Sequence, residues 1–195
     1  MEERVPAAVE LMGRLATAYA QSGLHERALS TALPSDFMAR FEASVTAPWF
    51  PWPSAGDRVR VVRTVAGLVE RDLSLPCSLG HGDMSISNVI RDEQDVHWLI
   101  DWEQGGQMPV AFDVRKLLLT TGAPDAVHER ITDAIRPFPG DGVRRYQWRH
   151  QLALGVCKEM TVAPRHRAGS LKRGRLPQFE AKLQERLAWT MALLS

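Results

Sequence analysis

The chain has 195 residues, of which 45% are hydrophobic and 24% charged, ordinary values for a globular protein with room for a sizeable core. A net charge of +1 names no partner, and two cysteines without metal-like spacing, Cys77 and Cys157, exclude a disulfide scaffold and fit a reducing cytoplasm. No apolar run approaches membrane-spanning length and the first residues lack the apolar core of a signal peptide, so a cytoplasmic protein with no membrane partner is expected.

In chain order, Val5, Val9, Met12, Ala16 and Tyr19 recur at helical spacing, with Gly23 as the expected stop. Ser35 is placed to cap a second helix along Phe37, Phe41 and Val45. Pro48-Trp49-Phe50-Pro51-Trp52-Pro53 breaks the pattern as a stiff loop. Its aromatics are expected to pack on the helical core, with a substrate or partner surface as the other reading. Asp57 is read as the cap of a third helix with Val59, Val62, Ala66, Val69 and Leu73 on one face. Beyond residue 110, four further helices are expected. One follows Val114, Leu117 and Leu118 and ends at Gly122 and Pro124. Another covers Val127 to Ile135, a third Trp148 to Met160, and the last Phe179 to Met191. No internal repeat is present.

The polar residues concentrate between Ser78 and Lys116. Asn88-Val89-Ile90 and Val96 to Ile100 are β-prone runs joined by the polar turn at residues 91–95, which predicts a hairpin. A hairpin brings its ends together, so Asn88 lies near Asp101. Asp83, five residues earlier, can face the same space. Two carboxylates and an amide oxygen are hard donors that suit magnesium rather than zinc. Asn88 and Asp101 would hold the metal and Asp83 would accept a proton from a hydroxyl, the division of labour of phosphoryl transfer. His81 is expected to brace the loop. Asp113, before Val114, is placed as a helix N-cap, a role that does not exclude a second one in the site, and Glu103 is read as a solvated turn residue with a site role as the minor reading.

The motifs HGDMSISN, IDWE and PVAFDVRKLLL resemble the aminoglycoside phosphotransferase and choline kinase group. Those are small-molecule kinases with a protein-kinase-like fold, and H-x-D-x4-N is also the spacing of the protein-kinase catalytic loop. The resemblance implies Asp83 as catalytic base, Asn88 and Asp101 as metal ligands, Asp113 as support for the catalytic loop, and Mg²⁺ with ATP as cofactors.

It also implies a mainly α, α+β architecture: a helical C-terminal lobe with a small hairpin. Residues 1–195 are read as one such domain, with N-terminal helices at 1–75, the catalytic segment at 76–121 and C-terminal helices at 122–195. Nothing before residue 75 reads as the β-sheet lobe with its glycine-rich loop and lysine strand. Three explanations follow: a split kinase whose other lobe is a partner chain, a remnant now used for binding, or a piece of a longer protein, although Met1 looks like a native start. The first is preferred, because a remnant need not keep a base and two metal ligands together. With half a cleft, the isolated chain should bind ATP weakly.

Pro164 to Arg175 holds the basic cluster Arg165, Arg167, Lys172, Arg173 and Arg175. It is read as a mobile loop between helices, with an anionic substrate or acidic partner as the functional alternative. Nucleic acid is disfavoured for want of a fold signature. The leading expectation is an ATP-dependent phosphotransferase subunit acting on a hydroxyl of a small molecule or of a peptide Ser or Thr. The alternative is a kinase-like scaffold without catalysis. A metal-dependent hydrolase is the weakest reading, since it would want more histidine ligands near the site.

Overall fold

The computed structural model describes residues 4–121 and 145–195, and the helix expected over Val127 to Ile135 lies outside them, as do the stops at Gly122 and Pro124. The elements run α1 (Arg4–Ser22), β1 (His25–Ala28), α2 (Leu29–Ala32), α3 (Phe37–Val45), α4 (Ala55–Arg71) and β2 (Ser74–Gly80). A 3₁₀ turn (Ile86–Asn88) precedes β3 (Val89–Arg91) and β4 (His97–Leu99). A second 3₁₀ turn (Trp102–Gln104) then leads to β5 (Gly106–Pro109) and α5 (Val110–Thr121). After the undescribed stretch come α6 (Trp148–Met160), α7 (Ala163–Lys172) and α8 (Leu176–Leu194). The expectation of a mainly helical α+β chain is met.

The chain divides into two compact units, Met1–Arg27 with Ser74–Arg145 and Ala28–Leu73 with Tyr146–Ser195. The first carries the hairpin and the motifs. Its three-stranded sheet has the order β1-β2-β5, with β2 and β5 antiparallel in the register Ser78 to Met108 and Gly80 to Gly106. The hairpin is where the sequence places it: β3 and β4 are antiparallel, with Ile90 opposite Trp98. Its turn is closed by Asp92, whose carboxylate accepts from the amides of Gln94 (3.0 Å) and Val96 (2.8 Å) and from the Trp98 indole (2.6 Å). Leu75, Met84, Val114, Leu117 and Leu118 are fully buried, and Tyr19 on α1 nearly so. Gly23, at φ +76°, ends α1 as expected.

The second unit is helical. Phe37 and Phe41 stack at 6.1 Å, and α6 packs on α3 and α8. The middle of α6, Gln151 to Cys157, is buried at every position, so that stretch is covered on all sides rather than on one stripe, while Arg149 and Lys158 toward its ends are exposed. Three expectations change here. The α4 cap is Ser54, whose Oγ accepts from the Asp57 amide at 3.0 Å, while Asp57 sits in the first turn and pairs with Arg60 at 2.8 Å. The buried face of α4 is Val61, Val65 and Leu68, and Val59 is exposed. Five valines surround this helix, so spacing alone did not single out the face that packs. The third change is at α3, where the N-cap position falls to Asp36 instead of Ser35 and no side chain caps it. The proline-aromatic loop packs as its plainer reading has it. Phe50 is buried between Trp49 (5.8 Å) and Trp52 (5.3 Å), and the Trp52 indole donates to the Val45 carbonyl.

Candidate functional site

The site is built around a buried carboxylate. Asp113, in the first turn of α5, is 1% exposed. A buried charge persists only when it is well bonded. Its Oδ2 accepts from the His81 amide at 2.6 Å and from the Tyr19 hydroxyl at 3.2 Å, and its Oδ1 accepts from the Gly82 amide at 2.9 Å. Burial pushes its pKa up from the usual carboxylate value, while the three donors pull it down. Burial, and then the Asp113 charge, push the Tyr19 phenol well above its usual value, so Tyr19 stays a donor. Because α5 begins at Val110, Asp113 lies inside the first turn and not at the N-cap position, and its carboxylate bonds the His81 and Gly82 amides directly.

Glycine is required where this grip is closest. A Cβ on Gly80 would lie 2.6 Å from Met108 Cγ and 2.7 Å from Asp113 Oδ2, and Gly82 has φ +84° with the Gln104 carbonyl in the place a Cβ would take.

His81 carries the loop to the hairpin. Its Nδ1 accepts from the Asp83 amide at 3.2 Å. That bond assigns the proton to Nε2, which donates to the Ile100 carbonyl at 2.8 Å. The same residue, Ile100, donates its amide to the Asn88 carbonyl at 2.9 Å. Ile100 therefore ties the His81 loop, the start of β3 and the entry to Asp101 together. Trp102 lies against the His81 ring at 4.7 Å between centroids. Asn88 reaches back, its Nδ2 donating to the Asp83 carbonyl at 2.9 Å.

This arrangement leaves three groups facing outward. Asp83 is half-buried and pairs with Lys116, Nζ to Oδ1 2.9 Å. Asn88 has its amide nitrogen engaged, which leaves its oxygen as an acceptor. Asp101 stands in the left-handed region at φ +68°, exposed, and its carboxylate makes no hydrogen bond or ion pair with a described residue. An amide oxygen and a carboxylate are suitable donors for a magnesium ion that takes its other ligands from water and phosphate. Among the described residues no group of three or more His, Cys, Asp or Glu could hold a metal by itself.

Lys116 was not singled out from the sequence. The available signal was its spacing: it lies three residues after Asp113 on α5, on the face that supports the loop. Glu103 falls in the 3₁₀ turn, exposed and without a described partner, as a solvated turn residue would. The basic cluster differs from expectation. Most of it is the helix α7, with Pro164 accommodated in the first turn. Arg167 lies 5.2 Å over the Trp49 ring and 3.8 Å from Glu180, while Arg173 and Arg175 line a pocket.

Loop, hairpin and α5 together define a kinase-like phosphotransferase scaffold. The model of the phosphotransferase enzyme family matches residues 2–149, and the chain belongs to that family. Two solved structures share the fold. The choline kinase LicA from Streptococcus pneumoniae superposes with a TM-score of 0.59 at 13% identity, covering 96% of this chain and 65% of its own. A choline/ethanolamine kinase family protein from Mesorhizobium loti gives 0.59 at 16% identity, covering 98% of this chain and 68% of its own. The chain thus spans about two thirds of the length of these kinases. No curated protein sequence matches it significantly.

Proposed function

We propose that this chain is the acceptor-side half of an ATP-dependent phosphotransferase that acts on a hydroxyl group. The observation that carries the reading is the double engagement of Ile100, whose carbonyl takes the His81 Nε2 proton at 2.8 Å and whose amide reaches Asn88 at 2.9 Å. Through it the base, the amide ligand and the carboxylate ligand belong to one braced assembly. Asp83 orients the acceptor hydroxyl and takes its proton as the phosphoryl group transfers. Asn88 and Asp101 would hold Mg²⁺, which supplies charge neutralisation at the nucleotide phosphates when bound. Lys116 keeps the Asp83 carboxylate aimed. The acceptor is a small alcohol or a peptide Ser or Thr.

The nucleotide-side half is proposed to come from a second, β-rich chain bearing a lysine. The hairpin supports this. Ile90 and Trp98, directly opposed, are 44% and 52% exposed, and Ile100, two residues beyond Trp98, is 41% exposed. Such an apolar strip beside the metal ligands suits a base or a covering chain. The test is Mg-ATP titration of the chain alone and with the proteins that co-purify from its host, followed by acceptor turnover. Nucleotide binding only in a complex, with turnover lost in Asp83→Asn, is the expected result. If millimolar Mg-ATP never binds in either form, the lobe is a non-catalytic scaffold and the proposal is wrong.

A further inference from the structure

The second unit carries a pocket that the phosphotransfer reading does not use. It has a volume of about 390 Å³ and lies between α7 and the first three turns of α8, lined by Arg173, Arg175, Lys182 and Arg186 together with Ser170 and Gln178. That volume is in the range of small-molecule sites. No Asp or Glu lines it. Arg173, Arg175 and Lys182 make no ion pair with a described residue, and Arg186 reaches only Glu159, at 3.4 Å.

Two features of local structure gather these charges. Lys182 and Arg186 are four residues apart on α8, a spacing at which like charges repel. The Arg173 guanidinium folds back over Gly169 of α7, 3.3 Å from where a Cβ would stand, so a glycine within the helix makes room for it. Gly174, at φ +65°, then turns the chain so that Arg175 stands at the N-cap of α8.

The N-terminus of α8 is unusual in the same direction. Helix N-termini favour acidic side chains and oxygen caps. Here the N-cap is an arginine, no side chain caps the helix, and no acid lies in the first turn. Pro177 in that turn has no N–H, so the amides without an intrahelical acceptor are those of Leu176 and Gln178. Converging cations, a hydroxyl, an amide and a bare helix N-terminus are the components of an anion site.

We propose that this pocket binds a small molecule carrying a phosphate or pyrophosphate group. Arg173, Lys182 and Arg186 pair with its oxygens, and the Ser170 hydroxyl and the Leu176 and Gln178 amides donate to it. All of its lining residues belong to the second unit, whereas Asp83 and Asp101 belong to the first.

The probe is inorganic pyrophosphate, titrated calorimetrically into the full chain at low ionic strength without magnesium. One saturable site is expected, weakened at least about tenfold in the double variant Arg173→Ala, Lys182→Ala. Asp101→Asn should leave it unchanged. Both altered residues are exposed, and circular dichroism checks that the helices persist. No saturable binding, or equal affinity in the double variant, overturns the site. Loss of binding in Asp101→Asn would assign the pyrophosphate to the other unit and also overturn it. A single-stranded RNA or an acidic peptide that binds at least tenfold more tightly than pyrophosphate would make this a macromolecular surface and end the small-ligand proposal.

Discussion

Lys116 Nζ lies 2.9 Å from Asp83 Oδ1, joining the third turn-neighbour of the buried brace Asp113 to the proposed base. A half-buried ion pair of this kind holds a carboxylate in one rotamer while leaving its second oxygen for a substrate proton. Lys116→Met should lower turnover by about 10- to 100-fold through misplacement of Asp83, with nucleotide affinity changed far less. Steady-state kinetics on the active form would show it as a fall in kcat. Unaltered kcat would remove Lys116 from the site.

Asp113 gives a prediction with a sign. Burial is the largest influence on its carboxyl and raises the folded-state pKa above the ordinary 3.8. The folded chain then holds that proton more tightly than the unfolded chain. The associated stability is fully present below the unfolded pKa and is lost as pH rises through the folded one. Asp113→Asn has no such titration. The Tm of the wild type relative to that variant should therefore be most favourable below about pH 4 and decline as pH rises. A difference that grows with pH would mean that the three donors outweigh burial. Asp113→Ala is harsher: it strands the buried His81 amide, the half-buried Gly82 amide and a buried phenol and should cost about 3–5 kcal/mol.

The cysteines should be inert in the folded chain. Cys77 and Cys157 are both buried and free, and burial pushes their thiols up to about 11 and about 12. Thiolate is the reacting form. At pH 8 an aromatic disulfide reagent should label neither until denaturant is added, after which both should react. Rapid native labelling would contradict the packing around β2 and α6.

The legibility of this chain was uneven for physical reasons. The hairpin could be read because its information is local, a polar turn between two β-prone runs, and the candidate site residues stand out by fixed spacing within a loop. The sheet β1-β2-β5 could not. Strand β2 contains Pro76 and is buried along most of its length, so it shows no alternation, and β5 is Gly-Gln-Met-Pro, with no β-branched residue. Those strands exist through their pairing and through α1 and α5 packed on them. In α7 the proline and glycine suggested a loop, yet Pro164 sits where a helix tolerates it and Gly169 admits the Arg173 side chain. No described helix is long and apolar enough to cross a membrane.

Gly80 tests how tightly the brace is set. Its missing Cβ is the space that Asp113 Oδ2 and Met108 occupy, at 2.7 and 2.6 Å. Gly80→Ala must push either the carboxylate or the β5 side chain aside. Overpacking of this kind costs about 1–3 kcal/mol, and any shift of Asp113 passes to the His81 and Gly82 amides. The variant should lose turnover as well as stability, and a thermal melt alongside kinetics separates the two. A variant that melts lower but keeps full kcat would show that Met108 alone yields.

The exposed hairpin face offers the sharpest test of the second-chain proposal. Ile90, Trp98 and Ile100 contribute little to the folded chain alone, since each is more than two fifths exposed. The double variant Ile90→Ser, Ile100→Ser should therefore leave the Tm of the isolated chain within about 1 kcal/mol equivalent of the wild type. If a β-rich partner covers this strip, the same variant should weaken the complex by at least about tenfold, as removal of two buried apolar anchors does. Trp98 supplies the readout, because its emission should shift to the blue when water leaves the indole. A partner that binds the variant as tightly as the wild type, without that shift, docks elsewhere, and the nucleotide would then have to be covered in some other way.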